Sequence, residues 1–133
     1  MKQKIETNQA PKAIGPYSQA IVAGNFIFTA GQIHLTPNGE LLEGTIEEKT
    51  NQVMQNLQAI LTASGVTFDY VVRTTAYITD ESIFRRVNAV YLKFMKEPYP
   101  ARETVVVKAL PMGAEIEISM IAIKPTNKTR IHQ

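Results

Sequence analysis

Residues 100–117 read PARETVVVKALPMGAEIE. Pro100 and Ala101 hold the chain extended ahead of an apolar, β-branched run. A strand is therefore expected over 104–110, and a second over 115–123, EIEISMIAI. Arg102 enters the first of these, and Glu117 sits inside the second, between Ile116 and Ile118. Both strands read as largely buried, which puts both charges where charges are costly. An arginine at the mouth of a pocket grips a carboxylate with two parallel hydrogen bonds. A glutamate nearby moves protons or orients water. Taken alone, an arginine in this place is more often an exposed edge-strand residue, and a strand glutamate often lies on a solvated face, as is expected of Glu115.

Upstream, residues 2–6 form a short strand and 8–16 a loop punctuated by Pro11, Gly15 and Pro16. Strands follow over 18–23 and 26–29, joined by the tight-turn pair Gly24-Asn25. Pro37-Asn38-Gly39 marks another turn. Residues 46–64 read as a helix with Val53, Met54, Leu57, Ile60 and Leu61 on one face, ended by Gly65. VVRTTAYIT over 71–79 is a strand. A second helix spans 82–96, with Phe84, Val87, Tyr91, Phe94 and Met95 inward, and Pro98 and Pro100 stop it.

The order β-β-β-α-β-α-β-β predicts an α+β fold: a mixed six-stranded sheet with two helices on one face. The other face is apolar as well, because neither alternate set of residues 116–121 is strongly polar. With no third layer in the sequence, that face is expected to pack against other copies of the chain. Register bears on the same point. A hairpin around Met112-Gly113 sets Glu117 opposite Lys108, about six residues and roughly 20 Å from Arg102. The pair therefore converges only if the two strands are not partners, or if the residues come from different subunits.

The 133 residues fit a single domain over 1–125 with a polar, frayed tail over 126–133. The net charge of +2 falls largely in the tail, leaving a near-neutral body that argues against nucleic acid as a partner. The chain has no cysteine, which excludes a thiol nucleophile, disulfides and thiolate metal sites. No signal-peptide core or membrane-length apolar run is present, so a soluble cytoplasmic protein is expected. His34 and His132 have no partners at metal-ligand spacing, so no metal site is expected.

Three further places can line a pocket. Tyr17 follows Gly15-Pro16 and is either a hydrogen-bonding pocket residue or an aromatic anchor for its loop. Thr29-Ala30-Gly31-Gln32 ends a strand, where Gly31 allows close backbone approach to a ligand or simply a bulge. Asn88 interrupts the second helix beside its apolar face, in reach of a ligand or merely on the boundary.

APKAIGPYSQA, FTAGQI, VNAVY, PAR-x-TVVV-x-ALP and IEI, in order along nearly the whole chain, resemble the reactive intermediate deaminase family, RidA. The resemblance implies a chorismate-mutase-like α+β fold, a homotrimer around a central β-barrel, and clefts between subunits. It implies hydrolysis of short 2-imino acids (2-iminobutanoate, 2-iminopropanoate, or their enamines) to 2-keto acids and ammonia, with no cofactor. Such imines otherwise damage pyridoxal-phosphate enzymes. By position, Arg102 would clamp the substrate carboxylate and Glu117 would activate water. Tyr17 would hydrogen-bond near the reacting centre, the backbone at Ala30, Gly31 and Thr104 would hold the substrate, and Asn88 would lie near the cleft. Ala30, His34, Glu103 and Thr104 depart from the residues relatives usually carry; backbone contacts survive these changes, and substrate range turns on them. The competing reading is a non-catalytic trimer that binds small carboxylates as a regulator. RNA cleavage, proposed for some relatives, fits the near-neutral body poorly.

Overall fold

The computed structural model describes residues 1–125; the tail expected over 126–133, with His132, lies outside the described residues. The described residues form seven strands, β1 (Lys2–Ile5), β2 (Ala20–Ala23), β3 (Phe26–Thr29), β4 (Gln32–Ile33), β5 (Val71–Ile78), β6 (Ala101–Val106) and β7 (Ile116–Ile123), and two helices, α1 (Ile46–Ala63) and α2 (Phe84–Phe94). They form one mixed sheet ordered β1-β2-β3-β7-β5-β6, with β4 also paired to β7. The α+β reading stands, with one strand more than the six expected. The addition is β4, whose two residues are too short to show any period. It and β3 lie along the same edge of β7, separated by Ala30-Gly31.

The helix over 46–64 is found almost as read. Thr45 and Glu48 cap its start reciprocally. Gly65, at φ 88°, closes its end, with Val66 N–H donating to Leu61 O at 3.0 Å. The second helix is shorter than 82–96, because a 3₁₀ turn, Glu81–Ile83, precedes α2. Of the expected inward set, Val87, Tyr91 and Met95 are buried and Phe94 packs partly buried against the core, while Phe84, at the helix start beside Arg102, is 36% exposed.

Both helices cover one face. Ile27, Ala76, Ile78, Ile116, Ile118, Met120 and Ala122 of the sheet pack with Val53, Met54, Leu57, Ile60 and Leu61 of α1 in a single core. Truncating one of these, Leu57→Ala for example, costs about 2–5 kcal/mol. On the other face Phe26, Phe28, Val105 and Ile123 are exposed, which keeps that face apolar as expected.

One expectation about residues 100–123 is corrected, and the question of how their strands pair is answered. The two strands are not hairpin partners, because β5 lies between them, parallel to β6 and antiparallel to β7. Nor is β6 buried. It is an edge strand with β5 as its one partner, and Arg102, Glu103, Val105 and Val106 are exposed. No described helix is long and apolar enough to cross a membrane.

Candidate functional site

The register settles where Arg102 and Glu117 stand. Arg102 pairs with Thr74, which is fully buried against Tyr91 of α2. Glu117 pairs with Tyr77, three residues along β5. Cross-strand partners share a face and successive residues alternate. Arg102 therefore lies on the helix side and Glu117 on the opposite face. Two strand spacings of about 4.8 Å and three residues of about 3.3 Å separate their Cα atoms by roughly 14 Å. Within one chain they do not meet, although the hairpin assumed in the sequence is absent.

Arg102 stands in a cleft lined by Glu81, Ser82, Phe84, Arg85, Thr104 and Val106. Its Nη1 donates to Asn88 Oδ1 at 2.7 Å. The guanidinium lies 4.9 Å from the ring centre of Tyr91 and 5.8 Å from that of Phe84. Tyr91 Oη donates in turn to Thr74 Oγ1 at 3.0 Å, and burial pushes the phenol above its ordinary pKa, keeping it a neutral donor. Glu103 does not neutralise Arg102. It points to the other face and pairs with Arg73 of β5, as strand alternation predicts.

The second cleft, about 610 Å³, lies at the break between β3 and β4. Tyr17, Ala30, Gly31 and Glu117 line it, with Lys12, Ile14, Leu35 and Met112. The Glu117 carboxylate packs on the backbone of Gly31 so closely that a Cβ there would fall under 3.0 Å from it. A side chain at residue 31 would thus have to push the Glu117 carboxylate aside, and no left-handed φ is involved. Burial raises the pKa of Glu117, and no cation among the described residues lies within ion-pair distance. Tyr17 is 55% exposed, and its Oη accepts from Ile14 N–H at 3.4 Å. Tyr17 is thus tied within its own loop and placed on the cleft wall.

The seven candidates fall into two groups: Arg102, Asn88 and Thr104 in one, Tyr17, Ala30, Gly31 and Glu117 in the other. Sequence reasoning missed Gln19 and the packing of Tyr91 under Arg102. Gln19 is buried, accepts from Thr7 N–H at 2.7 Å and donates to Pro11 O at 2.8 Å, which shapes the loop carrying Tyr17. A polar residue directly ahead of an apolar strand was the one available signal. His34 is also buried, outside both clefts, between Leu42 O and Glu115 N–H.

One mixed sheet with two helices on one face is the frame that carries both clefts. Residues 7–124 match the family described as Endoribonuclease L-PSP, and the chain belongs to it. It is 51% identical to a putative endoribonuclease of Thermotoga maritima of known structure, with a TM-score of 0.92 over 95% of this chain and 100% of that one. A RutC family protein of Pyrococcus horikoshii is 48% identical, across 93% of this chain and 99% of its own length. The human 2-iminobutanoate/2-iminopropanoate deaminase is 41% identical, across 93% of this chain and 91% of its own length.

Proposed function

We propose that this protein hydrolyses short 2-imino acids to 2-keto acids and ammonia, in clefts completed between the subunits of a homotrimer. The observation that carries the reading is the state of Arg102. Its guanidinium is steadied by a neutral amide and two aromatic rings, while the adjacent carboxylate, Glu103, is turned away onto Arg73. It is a preorganised cation facing an open cleft, suited to a substrate carboxylate. The human relative's name supports the reaction class.

In this mechanism Arg102 of one subunit holds the carboxylate. Glu117 of the next takes a proton from water as its oxygen bonds to the imine carbon. Glu117 hands that proton to nitrogen to give the carbinolamine, then takes the hydroxyl proton as the C=O bond forms and delivers it to nitrogen as the C–N bond breaks. One imine and one water become one keto acid and one ammonia. The raised pKa of Glu117 makes its carboxylate a better base, and Tyr17 stands beside it to hydrogen-bond the oxygen or nitrogen. The apolar open sheet face supports assembly, since Phe26, Phe28 and Val105 need cover.

The test generates 2-iminobutanoate with a threonine dehydratase and follows its decay. Faster loss with the protein and none with Arg102→Ala is expected. An unchanged decay rate with the wild-type protein overturns the reading. Binding of 2-ketobutyrate without any acceleration would instead favour a carboxylate-binding regulator.

A further inference from the structure

His34 belongs to neither cleft, yet it is 1% exposed and hydrogen-bonded at both ring nitrogens. Glu115 N–H donates to Nε2 at 3.0 Å. An acceptor at Nε2 leaves the proton on Nδ1, which donates to Leu42 O at 3.0 Å. Leu42 N–H returns a bond to His34 O at 2.8 Å. The ring is therefore neutral and joins three segments.

Two of those segments carry the Glu117 cleft. His34 directly follows Ile33, which pairs with Glu117. Glu115, held by the ring, lies two residues before Glu117, and Thr79 N–H donates to its carbonyl at 3.2 Å. The β4–β7 ladder ends at the Ile33–Glu117 pair, and beyond it the imidazole continues the attachment. From these contacts we infer that His34 is a positioning residue: its neutral ring clips the exit of β4 to the start of β7 and so fixes the Glu117 carboxylate against Gly31.

The clip holds in one protonation state. An imidazolium presents N–H at both positions, so Nε2 can no longer accept from Glu115, and two donors face each other. The charged groups around the ring are Lys49 of α1, Glu115 at the start of β7 and Glu43 ahead of α1. Burial, together with Lys49, holds the ring's pKa below its ordinary value, and Leu42 O, Glu115 and Glu43 oppose this. The neutral clip is thus intact above the ordinary imidazole range and is lost as pH falls through the depressed value.

The kinetic arm rests on the proposed hydrolysis; the spectroscopic arm does not. In the wild-type protein, NMR would follow the His34 ring, the Glu115 amide and the Glu117 side-chain carboxyl carbon against pH. The expected result is a common inflection in all three, with exchange protection of the Glu115 amide lost below it. The kcat for 2-iminobutanoate should carry a fall of about tenfold through the His34 inflection, with KM less affected, and the loss of that fall in His34→Gln separates it from protonation of Glu117 itself. In His34→Gln, whose amide accepts from Glu115 and donates to Leu42 without titrating, the shared inflection should vanish. Glu117 also titrates by itself, so the component that counts is the one His34→Gln removes: a Glu117 carboxyl whose titration curve is the same in the wild-type protein and in His34→Gln overturns the proposal. A shared inflection without any imine hydrolysis sinks the catalytic reading and leaves the clip standing.

Discussion

Glu117 rests on Gly31. The carboxylate occupies the volume a side chain at residue 31 would fill, at the point where β3 gives way to β4. The glycine and the glutamate therefore act as one unit, and changing either alters the other.

Gly31→Ala tests this unit. The methyl group must displace the carboxylate, a flexible side-chain end in an open cleft, so the stability cost should be small, within about 1 kcal/mol. Imine hydrolysis should fall by roughly tenfold to a hundredfold, because the base leaves its position. Calorimetry and the coupled decay assay would read the two effects. Unchanged turnover would mean that Glu117 need not lie on Gly31.

Glu117→Gln separates binding from turnover. Turnover should drop by about 10²–10⁴-fold, the range for a positioned proton-transfer group, while 2-ketobutyrate binding persists. In the wild-type protein, activity should decline as pH falls through the raised pKa of Glu117, because the base is then protonated. The stability effect has the opposite sense to that of a salt-bridged carboxylate. With the folded-state pKa raised, ionisation disfavours the fold as pH rises through that value, so Glu117→Gln should melt no lower than wild type at neutral pH.

Arg102→Lys keeps the charge and loses the planar fork. Carboxylate affinity should weaken by about 1.5–3 kcal/mol, near tenfold or more, as measured by titration calorimetry with 2-ketobutyrate. Glu103→Ala is the control. It removes an exposed pair with Arg73, worth about 0–1 kcal/mol, and should leave that affinity unchanged. A large gain in affinity would show that Glu103 reaches Arg102 after all.

Mixing subunits tests the shared cleft directly. Arg102→Ala and Glu117→Gln chains, each inactive alone, should regain about a quarter of wild-type activity after co-refolding, as random assortment around a cyclic interface gives. Solution scattering should report a mass near three chains. No recovery from well-mixed oligomers would mean that Arg102 and Glu117 do not act together in one shared cleft.

Much of the fold was legible because its signals are local. The period of α1, its stop at Gly65 and the Gly24-Asn25 turn all lie within a few residues. What escaped was non-local. Nothing in residues 100–117 says that β5 inserts between the two strands that follow it, so β6 was read as buried when it is an edge. Two-residue β4 has no pattern to detect, and helical periodicity cannot show that Phe84, in phase with Val87 and Tyr91, stands partly exposed at the helix start beside Arg102. Of the candidate site, the residue types were readable and their grouping was not. Whether Glu103 spoils Arg102 depends on Arg73, and that pairing exists only through the parallel register of β5 and β6.

The placement of the two half-sites on opposite faces of one sheet has an arithmetical consequence. Each copy offers one arginine half and one glutamate half, pointing different ways. A closed ring of copies completes as many clefts as it has members, whereas any open chain leaves one half unmatched at each end. Catalysis in such a protein reports ring closure as well as chemistry, and on dilution turnover per chain should fall as the rings open, before any single chain unfolds.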